Sequence, residues 1–255
     1  MTLDKKSHRG ALHTVERIGG TVRRPVNRWT PAVHGLLQYL EDKGFQCVPR
    51  FLRVDDEYET LSWIEGEAGT RPWPEVLRTD SGLAQIAGFL KSYHRLVKDY
   101  IPFDTAEWCV PDLRWQPGLT IRHGDLGPWN TIWLDGVLQG VIDWDLAEPG
   151  KEITDVAQLA WHLVPLRGDG FWPKAGFEEP PVLRERLQVL CESYGGFSPD
   201  SVIHALLELQ ETEISRISTL GRSGVEPWRT YLRRGDLEVT TRERDWLRTE
   251  YGNLI

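Results

Sequence analysis

The period of the apolar positions changes twice along this chain. In residues 11–24, ALHTVERIGGTVRR, short alternating runs flank Gly19-Gly20, which predicts two strands joined by a hairpin turn. Thr30-Pro31 then opens a helix, with Thr30 as cap and Pro31 at the first helical position. Val33, Leu36, Leu37 and Leu40 recur at helical spacing as far as a stop at Gly44. Residues 50–54 and 58–64 return to alternation and predict strands. The stretch from Glu65 to Pro74 is polar and rich in Gly and Pro, the pattern of a linker. Beyond it Leu83, Ile86, Ala87, Leu90, His94 and Val97 share one helical face, with Asp80 or Ser81 as cap. Residues 119–145 form a β-rich island, and helices are predicted over roughly 152–164, 182–194, 200–218 and 239–251.

A strand-rich start, a linker and a helical remainder with one β island make an α+β plan. The divisions expected are a short N-terminal lobe over 1–65, a hinge over 66–80 and a helical C-terminal lobe over 81–255. With 255 residues, 40% hydrophobic and 27% charged, the chain can build a full core without crosslinks. Cys47, Cys109 and Cys191 are widely spaced and form no CxxC or Cys/His cluster, so they read as reduced thiols rather than disulfides or zinc ligands. The polar start MTLDKKSHRG has no apolar stretch behind it, and no apolar run reaches membrane-spanning length. A cytoplasmic protein without a membrane partner is expected. The net charge of −8 argues against a nucleic-acid partner. Residues 1–30 nevertheless carry seven Lys/Arg against two acids, net +5, which leaves −13 on the rest. Such a division suits an anion at one end and a cation at the other, or simply a solvated surface.

The candidate chemistry sits in the island. Asp135-Gly136 between two apolar-rich runs is the signature of a two-residue hairpin turn. That turn pairs Leu134 with Val137 and, counted outward, Asn130 with Val141, which puts Asp143 on the same face as Asn130. Diagonal neighbours of this kind lie roughly 7–8 Å apart, close enough for two oxygen ligands to share a magnesium ion. Asp125 lies in the loop just before the hairpin base. Trp129, Trp133 and Trp144 flank the site, either lining an acceptor pocket or supporting the loop.

The run His123-Gly-Asp125-Leu-x3-Asn130, followed by Asp143 in Val-Ile-Asp-Trp-Asp, resembles the catalytic signature of the aminoglycoside phosphotransferase and choline kinase-like enzymes, relatives of the protein kinases. The resemblance spans roughly residues 15–165 and is strong in 119–161. It implies a protein-kinase-like two-lobe fold, Asp125 as catalytic base, and Asn130 and Asp143 as ligands of the Mg²⁺ that accompanies ATP, with GTP left open. It implies structural roles for His123 and for Asp155, which in the family braces the catalytic loop from a helix. Leu61-Ser62-Trp63-Ile64-Glu-Gly66 resembles the adenine-contacting hinge, which makes Ser62, Trp63 and Ile64 candidate nucleotide contacts. Thr21-Val-Arg23-Arg24-Pro25 resembles the strand that carries the phosphate-binding cation. No lysine stands there, and Arg23 is the nearest candidate; no glycine-rich GxGxxG or Walker loop precedes it.

The function implied is transfer of the γ-phosphate to a hydroxyl of a small molecule such as an aminoglycoside or an aminoalcohol. The alternative is a kinase-like protein that binds a nucleotide or a cationic small molecule without efficient transfer. A two-metal phosphoesterase would need a second His-rich motif, which this chain lacks. Glu208, Glu211 and Glu213 are either contacts for a cationic acceptor or exposed helix surface.

Overall fold

The computed structural model describes residues 5–9, 14–168 and 170–255, with 5–9 and Thr14 described by backbone alone. In chain order the elements are β1 (Lys5–Arg9), β2 (Thr14–Ile18), β3 (Thr21–Pro25), α1 (Thr30–Asp42), β4 (Phe51–Val54), β5 (Tyr58–Ser62), β6 (Glu67–Ala68), α2 (Asp80–Val97), β7 (Thr120–Arg122), β8 (Thr131–Leu134), β9 (Val137–Val141), β10 (Glu148–Gly150), α3 (Glu152–His162), α4 (Trp172–Ala175), α5 (Leu183–Tyr194), α6 (Pro199–Arg222), α7 (Trp228–Arg234) and α8 (Asp236–Leu254). The chain divides into two compact units, residues 1–69 with 92–152 and residues 70–91 with 153–255.

The first unit carries the sheets. β1, β2, β3, β5 and β4 form one five-stranded sheet in that order. Ile18 pairs with Thr21 across Gly19-Gly20, so the predicted two-residue turn is present; residues 11–13 of that prediction lie outside the described residues. α1 buries Val33, Leu36, Leu37 and Leu40, the predicted face. Its cap differs from the expectation. Trp29 occupies the cap position, and Thr30 sits inside the first turn with its hydroxyl accepting from the Asn27 N–H at 2.9 Å. The hydroxyl reaches backward to hold the entering chain instead of satisfying a helix donor.

The predicted linker is not wholly irregular. Glu67 and Ala68 form β6, which pairs with Trp133 and Ile132 of β8 and joins the β8–β9 hairpin in a three-stranded sheet. β7 and β10 pair separately, and the buried Arg122 of one faces the buried Glu148 of the other, its Nε donating to Glu148 Oε1 at 2.9 Å.

The second unit is helical. α6 packs against α7 and α8, with α5 alongside α6 and α8. α4 and α7 were not expected; α4 is a single turn and α7 begins behind Pro227. On α2 the predicted residues Leu83, Ile86, Ala87, Leu90, His94 and Val97 are all buried. Thr79, one residue ahead of the expected position, caps that helix by accepting from the Gly82 N–H at 3.2 Å. No helix among the described residues is long and apolar enough to cross a membrane.

Candidate active site

The His123-Gly-Asp125 turn follows β7 and is fixed from within. Gly124 has φ +81°, and a Cβ there would lie 1.8 Å from the Leu146 carbonyl oxygen, so only glycine fits. His123 is buried. Its Nδ1 accepts from the Asp125 N–H at 3.2 Å, which assigns the proton to Nε2, 3.0 Å from the Ile142 carbonyl oxygen. The ring thus joins the Asp125 loop to the end of the hairpin as a neutral spacer.

Asp125 and Asn130 meet directly. Asn130 Nδ2 donates to Asp125 Oδ2 at 2.9 Å and to the Asp125 carbonyl at 2.8 Å. The amide nitrogen is committed to Asp125, which leaves the amide oxygen of Asn130 as the atom available to a cation. Trp129 Nε1 donates to the same Asp125 Oδ2 at 3.2 Å. Trp133 and Trp144 are buried, with their indoles on Thr131 Oγ1 and the Val141 carbonyl. Those two support the loop, whereas Trp129 is 38% exposed.

The hairpin register differs from the prediction. Leu134 does pair with Val137 across Asp135-Gly136, but the ladder shifts so that Ile132 pairs with Gly140 and Thr131 with Val141. Gln139 is the extra residue of a β-bulge, which the alternation rule does not anticipate. Asn130 therefore does not pair with Val141. It lies in a 3-10 turn, Pro128–Asn130, and its carbonyl accepts from the Ile142 N–H at 2.9 Å. Asp143 follows at φ +62°, a left-handed conformation that Asp tolerates better than most residues. The shared-face reasoning for Asn130 and Asp143 is thus replaced by a different geometry, in which a backbone bond brings residue 142 to Asn130 and a kink re-aims Asp143.

Asp143 faces Arg24. Arg24 Nη1 lies 3.4 Å from Asp143 Oδ1, Nη2 lies 2.9 Å from Asp145 Oδ1, and Nε donates to Glu59 Oε1 at 2.7 Å. Glu59 pairs with Arg24 across β3 and β5, and His34 Nε2 of α1 lies 2.7 Å from its other oxygen. Burial opposes charge on Arg24, yet the Asp145, Glu59 and Asp143 carboxylates outweigh it and hold the guanidinium more strongly protonated than usual. Burial raises Glu59, but the His34 bond and Arg24 bring it below the usual carboxylate range. Asp145 behaves oppositely. Burial, opposed by Arg24 and reinforced by Asp143 and Glu59, pushes its carboxyl up to about 6.

The strand cation that meets this cluster is Arg24. Arg23, the residue singled out from the sequence, sits over the Tyr58 ring at 3.7 Å and faces Asp55 at 3.6 Å. Adjacent strand residues point to opposite faces, and the sequence signal for choosing between them was Glu59, an acid that pairs with Arg24 from the neighbouring strand β5. In the predicted hinge the Ser62 N–H donates to the Arg50 carbonyl and the Trp63 N–H to the Gly20 carbonyl, both at 2.9 Å. The Ser62 hydroxyl accepts from Arg50 N–H, and Arg17 lies over the Trp63 ring at 4.2 Å. Asp155 is fully buried on α3.

The donor set can be tested against a metal. No group of three or more His, Cys, Asp or Glu side chains capable of caging an ion exists among the described residues. The ligand atoms available are the Asn130 amide oxygen and the partly exposed Asp143 carboxylate. That oxygen set fits magnesium, which needs few protein ligands when phosphates complete its shell, and does not fit zinc.

Residues 102–186 match the family APH, described as a phosphotransferase enzyme family. Over 240 residues the chain is 29% identical to the trifolitoxin immunity protein of Rhizobium leguminosarum bv. trifolii, covering 87% of this chain and 90% of that protein. Among solved structures it superposes on an amicoumacin kinase in complex with AMP-PNP, Ca²⁺ and Ami, with TM-score 0.67, 12% identity and coverage of 94% and 88% of the two chains. The gentamicin complex of APH(2")-IIa gives TM-score 0.58, 15% identity and coverage of 96% and 90%. An ethanolamine kinase of Plasmodium vivax gives 0.56, 13% and coverage of 86% and 75%. The expected resemblance and the α+β, protein-kinase-like fold class are borne out, and the matched family is one of phosphotransferase enzymes, as expected of a small-molecule kinase.

Proposed function

We propose that this chain moves the γ-phosphate of ATP to a hydroxyl of a small molecule. The observation that carries the reading is the Asp125–Asn130 pair, 2.9 Å apart inside the segment matched to the phosphotransferase family. Asp125 accepts or orients the proton of the attacking hydroxyl while the acceptor oxygen bonds to the γ-phosphorus and the bond to the ADP oxygen breaks. Asn130 keeps the Asp125 carboxylate from rotating, and His123 fixes the backbone beneath it. Asn130 and Asp143 are the residues that would hold Mg²⁺, whose charge offsets that of the phosphates.

On the nucleotide side the proposal shifts from Arg23 to Arg24 as the cation beside the phosphates, because Arg24 is the one that reaches Asp143. Ser62, Trp63 and Ile64 remain the nucleotide segment, with contact through side chains and carbonyls, since the N–H groups of Ser62 and Trp63 are already spent. A short N-terminal lobe, a hinge and a helical C-terminal lobe remain the proposed division of labour, in a cytoplasmic compartment that supplies ATP and keeps Cys47, Cys109 and Cys191 as thiols.

ADP release with Mg-ATP or Mg-GTP and a panel of hydroxyl acceptors tests the reading, with Asp125→Asn as background. Turnover in the wild type that falls by about a thousandfold or more in the variant supports it. Equal turnover in the two, with every acceptor and both nucleotides, removes it. A second reading has its own support in the relative named as an immunity protein, aligned along nearly its whole length. There the chain protects a cell by acting on, or holding, a toxin. Protection that survives Asp125→Asn would select binding over transfer.

A further inference from the structure

Glu59 is met from two sides, and the two contacts divide its oxygens. Arg24 Nε donates to Oε1 at 2.7 Å, and His34 Nε2 lies 2.7 Å from Oε2. Glu59 is 1% exposed, so donors for both oxygens have to come from the protein. Burial opposes charge on Glu59, and the His34 bond and Arg24 keep it ionised. An ionised carboxylate only accepts, which assigns a proton to Nε2 of His34. The ring itself is held by a third element. It stacks on Phe51 of β4, with centroids 3.8 Å apart and planes at 23°. β4 pairs with β5, the strand that carries Glu59. The helix α1 thus presents an N–H whose direction the sheet sets.

That division of oxygens governs where the rest of Arg24 points. A guanidinium and a carboxylate favour a two-bond fork. A side-on fork on Glu59 would use Nε and one terminal nitrogen of Arg24. With His34 on Oε2, the terminal nitrogens turn elsewhere: Nη1 lies 3.4 Å from Asp143 Oδ1 and Nη2 lies 2.9 Å from Asp145 Oδ1. Removing the His34 N–H strands Oε2 as a buried carboxylate oxygen beside a cation rich in donors. The fork then closes on Glu59, and one terminal nitrogen leaves its aspartate. The Asp143 contact is the longer one and the more exposed, so it gives way first. Resting on the reading of Arg24 as the cation beside the phosphates, we infer that His34 is a positioning residue of the nucleotide side: through Glu59, its N–H keeps the terminal nitrogens of Arg24 on Asp143 and Asp145. His34 bonds to Glu59 and acts on Arg24 only through it.

Three variants separate the N–H from the ring. His34→Leu keeps an apolar contact for Phe51 and has no donor. His34→Asn has a donor too short to reach Oε2. His34→Gln places an amide N–H at about the reach of Nε2. The first measurement is the Arg24 Nε–H signal in ¹⁵N-labelled full-length protein, assigned by its loss in Arg24→Met. It should move in His34→Leu and His34→Asn and stay near its wild-type position in His34→Gln, whether or not phosphate is transferred. The second is calorimetric binding of Mg-ADP. Affinity should fall by about tenfold in His34→Leu and His34→Asn, the scale of one charge-assisted contact, and by less than about threefold in His34→Gln. An Arg24 signal that stays in place in His34→Leu and His34→Asn, or that moves as far in His34→Gln, overturns the inference, even if the thermal midpoint falls. If His34→Leu does not fold, the comparison of His34→Asn with His34→Gln decides alone. A signal that moves as expected while Mg-ADP affinity is unchanged keeps His34 as the residue that positions Arg24 and removes Arg24 from the phosphate side, a failure of the earlier reading.

Discussion

Arg24→Met is the perturbation that probes the center of the first unit most directly. It removes a cation while keeping most of the aliphatic stem. Three carboxylates lose their counter-charge, but unequally. Glu59 and Asp145 are almost completely buried, at 2.7 and 2.9 Å from the guanidinium. The Asp143 side chain is 41% exposed and 3.4 Å away, so solvent screens most of its share. Removing one partner from a buried pair costs about 3–5 kcal/mol, against a total stability of about 5–15 kcal/mol for an ordinary domain. His34 still holds one oxygen of Glu59, which places the expected loss at the lower end, about 3 kcal/mol. The loss should also depend on pH. Asp145 already has its folded-state pKa raised to about 6, above the unfolded 3.8. A raised acid contributes stability when protonated and loses it as pH rises through the folded pKa. Without Arg24 that pKa climbs further, so the deficit should be larger at pH 7.5 than at pH 5. Urea denaturation of wild type, Arg24→Met and Arg23→Met at both pH values provides the assay, with signals from each unit followed separately because the chain need not unfold in one step. Arg23→Met should leave the midpoint essentially unchanged. A deficit under about 1 kcal/mol for Arg24→Met at pH 7.5, or one no larger than that of Arg23→Met, would refute the buried-cation reasoning.

Gly124→Ala places a methyl 1.8 Å from a backbone oxygen at a positive φ, so ADP release should drop to the level of Asp125→Asn even if the circular dichroism spectrum is kept. Arg186 is a buried cation whose donors go to the carbonyls of Leu77, Arg78, Leu163 and Val164, and burial, partly opposed by Asp80, brings its pKa down to about 10. Arg186→Met should cost roughly 3 kcal/mol by stranding those acceptors, and Arg186→Lys should recover less than half by denaturant midpoint. His162 is buried, and burial followed by Arg167 holds its pKa well below 6.5. A depressed histidine contributes stability above the unfolded pKa and loses it as pH falls below 6.5, by up to about 1.4 kcal/mol per pH unit. His162→Gln should therefore flatten the fall in thermal midpoint between about pH 6.5 and 5.

Periodicity was enough wherever one face of an element is buried. The α2 face from Leu83 to Val97 and the Gly19-Gly20 and Asp135-Gly136 turns are as predicted, because an error of one residue there would expose the core side. Legibility fails at short elements. β6 is two residues long and owes its strand character to the Gly66 backbone lying against Trp133, where a Cβ would come within 2.5 Å of the Trp133 carbonyl oxygen. That is a tertiary contact, invisible to a window of neighbours. The helix caps moved by one residue for the same reason, since which hydroxyl meets which N–H depends on how the chain enters.

The site shows the difference more sharply. Asp125 and Asn130 were legible because only four residues of turn separate them and the turn closes on itself through Asn130 Nδ2. Asp143 was located by motif but not by geometry. Strand arithmetic placed it on Asn130's face, whereas the bulge at Gln139 shifts the register by one and would by itself carry Asp143 to the opposite face. The left-handed backbone at Asp143 then re-aims the carboxylate, which ends opposite Arg24. Two departures from regular strand geometry act in sequence, and neither has a strong local sequence mark: Gln is a common strand residue, and Asp only tolerates the left-handed region. What does mark them is the charge they deliver to one place. Glu59, Asp143 and Asp145 would repel one another without a buried cation, and β3 offers two arginines of which one face alone can supply it. The acids on β5 and after β9 thus choose Arg24 over Arg23, and the choice becomes readable only once the three carboxylates are taken as a set.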